Sequence, residues 1–92
     1  MAYKIVVQGT FRDDLRSIDQ SSALRVLAKI DQLARNPTMR SCKPLRNLPK
    51  AFRGLHSLRV GEYRALLWLD HRKQEITLYA VAHRREVYGK LG

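Results

Sequence analysis

Ninety-two residues suffice for one domain, here 1–92, with a modest core, and exclude a two-domain arrangement. The net charge of +10 is uneven: residues 1–39 carry six basic and four acidic side chains, a net of +2, and residues 40–92 carry twelve and four, a net of +8. A basic half on a small domain points to a nucleic-acid partner. The lone Cys42 excludes an internal disulfide and suits a reducing compartment. No apolar run is long enough to span a bilayer, and Met1-Ala2-Tyr3-Lys4 leads into a strand-like run without a leader, so a cytoplasmic location is expected.

Tyr3 to Gln8 is β-branched and aromatic and predicts a strand. Thr10-Phe11-Arg12-Asp13 has the form of a capping box, opening a first helix through Leu15 and Ile18. Ser21 or Ser22 is the expected cap of a second helix. Its apolar face is Leu24, Leu27, Ile30 and Leu33-Ala34, and Asn36-Pro37 ends it. Arg16, Arg25, Lys29 and Arg35 are expected on solvated helix faces. Residues 38–53 are loop-like and basic, with Arg40, Lys43, Arg46, Lys50 and Arg53. Strands follow at 54–60, 63–70 and 75–83. The order β-α-α-β-β-β predicts an α+β domain: an N-terminal strand, a helical hairpin, then a mainly antiparallel sheet covered on one face by the helices.

Gly61-Glu62 suits a two-residue type II′ turn. That register sets Val60 opposite Tyr63, Arg59 opposite Arg64, Leu58 opposite Ala65 and His56 opposite Leu67. A four-residue loop, His71 to Gln74, sets Arg64 opposite Val81. One face then collects Leu58, Val60, Ala65, Leu67, Leu69, Ile76, Leu78, Ala80 and Ala82. The other collects Ser57, Arg59, Arg64, Trp68, Thr77, Tyr79 and His83. Arg59 and Arg64 side by side repel, and a bound polyanion would relieve them. Trp68 and Tyr79 offer rings that stack bases, or, with Leu66 beside Trp68, form a second small core.

Metal-dependent hydrolysis is disfavoured, since no carboxylates or histidines have ligand spacing. There is no Gly-rich phosphate loop, and no cofactor is expected. What fits is metal-free phosphodiester chemistry on RNA, which supplies its own 2′-hydroxyl nucleophile. Arg64 with Arg84 or Arg85 suits charge neutralisation through the guanidinium fork. His83 suits proton transfer, and Tyr88 suits orienting the 2′-hydroxyl or sharing in that transfer. Lys43, Arg46, Lys50, Arg53, Arg59 and Arg85 are the expected backbone-binding cations.

Three segments carry a family resemblance: Lys43-Pro44-Leu45-Arg46 through Leu55; Leu58-Arg59-Val60-Gly61-Glu62-Tyr63-Arg64; and His83-Arg84-Arg85-Glu86-Val87-Tyr88. With the helical pair, they make essentially the whole chain resemble the RelE family of the RelE/ParE toxin superfamily. The resemblance implies a type II toxin–antitoxin toxin that binds the ribosomal A site and cuts mRNA there without metal, leaving a 2′,3′-cyclic phosphate. It also implies a small antitoxin that wraps and blocks the toxin. Arg64, Arg84 and Tyr88 match the family's positions for transition-state binding and the C-terminal tyrosine, and His83 matches an often basic one. Some members carry basic residues where Leu55 and Ser57 stand here, which leaves the general base open, with His83 a candidate. Two other readings remain: a ParE-like inhibitor of DNA gyrase on the same fold, and a noncatalytic RNA- or ribosome-binding module.

Overall fold

A computed structural model describes residues 2–91. Strand β1 (Lys4–Val7) leads into helices α1 (Gly9–Ser17) and α2 (Gln20–Arg35), then into strands β2 (Cys42–Pro44), β3 (Leu55–Val60), β4 (Tyr63–Asp70) and β5 (Glu75–His83). Short 3-10 turns occupy Lys50–Phe52 and Val87–Leu91. The α+β class and strand limits follow the sequence closely. One detail of the sheet does not: the segment expected as loop contributes β2. The sheet is mainly antiparallel as expected, in the order β1-β5-β4-β3-β2, with β1 alone pairing in parallel, to β5.

The helix starts differ from expectation. Thr10 caps nothing; its hydroxyl donates to the Tyr79 carbonyl in β5, and Gln8 stands at the N-cap without a side-chain bond. The cap of α2 is Asp19, not Ser21 or Ser22; its carboxylate accepts from Ser22 N at 2.9 Å. That N–H, and then the Ser22 side chain, hold the Asp19 carboxyl below the ordinary aspartate value. A depressed folded-state value gives stability that is present above the ordinary aspartate range and lost as pH falls through the lowered one. Asp19→Ala should therefore melt earlier than the parent at neutral pH, with the gap closing in strong acid. A gap independent of pH would show that the cap bond is not the source.

The helices cover one sheet face. Phe11, Val26, Ile30 and Leu33 pack on Leu58, Ala65, Leu67, Ile76, Leu78 and Val81. Val26 is buried where the sequence pattern favoured Leu24 and Leu27, which are 59% and 44% exposed. Cys42 is partly buried at the margin of this core, and burial pushes its thiol up to about 11, which makes it a poor nucleophile at neutral pH. The opposite face has its own core: Leu55, Leu66, Ala80 and Ala82, with Trp68 and Tyr79 packed against them, closed by Val87 and Leu91 from the C-terminal turn and by Leu45, Leu48 and Phe52. Trp68 Nε1 donates to Arg53 O at 3.1 Å and Tyr79 Oη to Lys90 O at 2.8 Å. These rings are core, not a stacking platform.

The β3–β4 register is as expected throughout, including Arg59 opposite Arg64. Gly61 takes φ 56°, and among the described residues Glu62 does not join it at positive φ, as a type II′ turn requires. The β4–β5 register is as expected from Asp70–Glu75 to Leu67–Leu78, and then shifts. Leu66 pairs with Ala80, so Tyr79 is the extra residue of a β-bulge, and Arg64 pairs with Ala82 rather than Val81. Beyond the bulge every residue of β5 changes face. Ala80 and Ala82 move to the second core, Val81 moves to the helix side, and His83 follows it.

Candidate nucleic-acid interface

The hairpin is the organising element. Its tight turn brings Arg59 and Arg64 together on the face away from the helices, and a cleft of about 450 Å³ opens beside them. Lys43 of β2, Arg59 of β3 and Arg64 of β4 line it, with Arg40, Ser41, Pro44, Leu45 and Ser57. No carboxylate lines it. Arg40 was expected only as part of a basic loop and Ser41 was not singled out; they reach the cleft because Arg59 N donates to Ser41 O at 2.9 Å, drawing the chain before β2 alongside β3. Ser41 Oγ is buried there without a hydrogen-bond partner.

Arg64 is half-buried. Its Nη1 donates to Gly61 O at 3.2 Å and Tyr63 O at 3.1 Å, so the guanidinium is folded over its own turn. Neutral carbonyls are weak partners for a guanidinium compared with an anionic oxygen. The side chain is therefore held in place without being neutralised.

The second group of expected residues gathers on the other side of the turn. Arg84 N donates to Glu62 O at 2.8 Å, and Arg84 Nε lies 3.2 Å from a Glu62 carboxylate oxygen. His83 Nε2 is 3.6 Å from the same oxygen, and its Nδ1 accepts from Arg85 N at 3.3 Å. Its ring meets Tyr63 edge-on at 5.9 Å. The bulge thus corrects one expectation: His83 sits on the helix side of the sheet, not on the face of Arg59 and Arg64. The pairs with Glu62 are solvent-exposed and each contributes at most about 1 kcal/mol.

Tyr88 lies on the C-terminal turn with 72% of its surface exposed. Arg85 is exposed beside it, and Arg46, Lys50 and Arg53 are exposed on the segment that covers the second core. None of these lines the cleft. Among the described residues, no three His, Cys, Asp or Glu side chains are grouped to hold a metal ion, and no helix is long and apolar enough to cross a membrane.

A five-stranded sheet with a helical pair on one face and an arginine-lined cleft on the other defines a small RelE-like toxin fold. It superposes on the toxin of the RelBE2 toxin–antitoxin complex of Mycobacterium tuberculosis with a TM-score of 0.76 and 29% identity, covering 91% of this chain and 100% of that one. A mutant of the E. coli toxin RelE in the free state gives 0.74 and 19%, covering 99% and 95%. The archaeal RelE–RelB complex from Pyrococcus horikoshii gives 0.74 and 21%, covering 91% and 97%. No curated protein sequence matches the chain. Residues 5–88 match the profile of the ParE toxin of type II toxin–antitoxin systems, parDE. The chain belongs to that family, within the RelE/ParE superfamily, and is a type II toxin–antitoxin toxin.

Proposed function

We propose that this toxin is a ribosome-dependent mRNA endoribonuclease that cuts in the A site by metal-free attack of the 2′-hydroxyl. The observation that carries this is the acid-free cleft in which Lys43, Arg59 and Arg64 converge with Arg40. Four cations with no carboxylate among them suit a phosphate backbone, and the unpartnered Ser41 hydroxyl is a donor without an acceptor. The scissile phosphodiester would lie at the hairpin end, between Arg64 and Arg84. Arg64 would neutralise charge on the phosphorane and Arg84 would support it from the far side of Glu62. His83 and Tyr88 would handle the protons: one takes the 2′-hydroxyl proton as its oxygen bonds to phosphorus, and the other gives a proton to the 5′-oxygen as its bond to phosphorus breaks. Arg46, Lys50, Arg53 and Arg85 would hold flanking phosphates of mRNA or ribosome. A defined mRNA on programmed ribosomes should be cut within the A-site codon, leaving a cyclic phosphate. Intact mRNA with soluble, ribosome-bound toxin would sink this reading.

The ParE-toxin profile favours a second reading, inhibition of DNA gyrase. A supercoiling assay separates the two, because a gyrase inhibitor leaves mRNA whole.

The partner in either case is the cognate antitoxin, acting in the cytoplasm. We place its contact on an apolar groove of about 410 Å³ lined by Ile5, Val7, Phe11, Leu15 and Leu27, with exposed Leu24 nearby. Edge strand β1 borders this groove with one side unpaired, which suits an added strand or a helix laid in the groove. The +10 charge calls for acidic residues around the docking segment. Leu24→Glu with Leu27→Glu should weaken antitoxin binding by at least tenfold, from lost apolar burial, while the free toxin keeps its activity. Unchanged antitoxin affinity would move the contact elsewhere.

A further inference from the structure

A second cavity, of about 330 Å³, adjoins the cleft across Arg59. Arg25, Lys29 and Gln32 of α2 form one wall, and Arg59, Val60 and Gly61 of the hairpin form the other. Arg59 thus belongs to both cavities. The amphipathic pattern of α2 assigns Arg25 and Lys29 to a solvated face, and Arg25 is exposed and Lys29 half-buried there, at the edge of α2 that lies beside the hairpin. The Arg25 guanidinium reaches the hairpin turn: a Cβ at Gly61 would stand in ordinary contact with its Nη2, at 3.7 Å.

None of the three cations is in a close ion pair: among the described residues the pairs join Arg35 to Asp31, Arg84 to Glu62 and Lys90 to Asp14, with His83 beside Glu62, while the charge of Arg25 acts at longer range on Asp19. The acidic groups nearest Arg25 are already engaged: Asp19 caps α2, and Glu62, across a smaller cavity, holds Arg84. A merely solvated face spreads its charges apart. Here three basic residues line one concavity, Arg25 and Lys29 from the helix and Arg59 from the hairpin, which makes it a site that favours an anion. No aromatic ring lines the cavity, so it offers phosphate contacts and no base stacking.

We propose that Arg25, Lys29 and Arg59 form a second phosphate-binding subsite for the RNA strand held in the Arg64 cleft. The strand leaves the cleft past Arg59, crosses the bare backbone at Gly61 and continues along α2. This subsite adds affinity without sequence preference, and its assignment rests on the RNA reading of the cleft.

The test is fluorescence anisotropy with labelled, 2′-O-methylated oligoribonucleotides of three and of twelve nucleotides. Wild type, Arg64→Ala, the double variant Arg25→Gln/Lys29→Met and the charge-keeping Arg25→Lys/Lys29→Arg are compared. Arg64→Ala should weaken binding of both lengths. The Gln/Met variant should bind the long strand about tenfold more weakly, with the salt slope reduced by about 1.4 for two lost contacts, and the short strand as wild type does. The charge-keeping variant should match wild type. If wild type binds neither length, the cleft does not hold an RNA strand by itself and the subsite is overturned with it, while cleavage on programmed ribosomes decides the nuclease reading separately. If Arg64→Ala weakens both lengths but the Gln/Met variant does not weaken the long one, the subsite alone fails. Equal weakening on both lengths would mean a diffuse field effect and overturns the assignment. So would loss of binding in the charge-keeping variant, which would mark a packing role.

Discussion

Arg64→Ala should lower single-turnover cleavage on programmed ribosomes by about two to three orders of magnitude, the usual cost of removing one preorganised donor to a developing anion. It should do so without loosening the fold. Arg64 makes no ion pair among the described residues, and of the two carbonyls it touches that of Gly61 sits at an exposed turn where water replaces it, while that of Tyr63 is part-buried. Stability should rise slightly, because the substitution ends the like-charge opposition with Arg59, a term of roughly 0.2–1 kcal/mol. Loss of activity with a higher melting temperature is the signature of a side chain kept for function at some expense in stability. Arg64→Lys should fall between, since an ammonium keeps the charge but loses the planar fork. Full activity in Arg64→Ala would remove this residue from the chemistry.

The largest effect on stability outside the apolar cores is expected from Asp14→Ala. One Asp14 carboxylate oxygen accepts from Val81 N at 3.1 Å and the other from Lys90 Nζ at 2.7 Å. Strand β1 pairs with β5 only as far as Leu78, so beyond it the edge of β5 has no strand neighbour on that side. Helix α1 takes over: Thr10 and Asp14, one turn apart, bond the Tyr79 carbonyl and the Val81 N–H that β1 leaves open. Removing the carboxylate leaves a part-buried N–H unsatisfied and releases Lys90. At about 1–3 kcal/mol for the orphaned donor plus about 1 kcal/mol for the partly exposed ion pair, the total is roughly 2–4 kcal/mol. Asp14→Asn should recover part of it, keeping an acceptor for Val81. The C-terminal turn should loosen first, because Lys90 also accepts the Tyr79 hydroxyl bond and Val87 and Leu91 close the second core. Amide exchange at residues 87–91 would report this. Protection unchanged from the parent there would refute the clamp.

Much of this was legible in the chain because it is written locally. Period-two alternation gave the last three strands, Gly61-Glu62 gave the turn, and their register alone put Arg59 beside Arg64, which is the kernel of the cleft. Asn36-Pro37 ended α2 where expected. What escaped has no local mark. The bulge at Tyr79 lies within Ile76-Thr77-Leu78-Tyr79-Ala80-Val81-Ala82, a run whose members suit either of two cores, so nothing in it reveals a skipped pairing. That one residue carried His83 to the other face. Asp19, Ser21 and Ser22 are near-equivalent caps by chemistry, and tertiary packing chose among them. Arg40 and Ser41 enter the cleft through a bond to Arg59, and Arg25 through the seating of α2 on the hairpin; both are long-range facts.

The pairing of β1 with β5 gives the chain a timetable. The first strand to leave the ribosome can find its place only beside the last, and Asp14 must wait for Lys90. Helix α1, lying between, has its Thr10 and Asp14 partners in β5 as well. A nascent chain therefore carries its early cations beside an unfinished sheet, and Arg84 and Tyr88 follow only after β5. The sheet therefore closes only after β5 and the turn at residues 87–91 are made, and until then Ile5 and Val7, part-exposed even in the finished fold, stand uncovered.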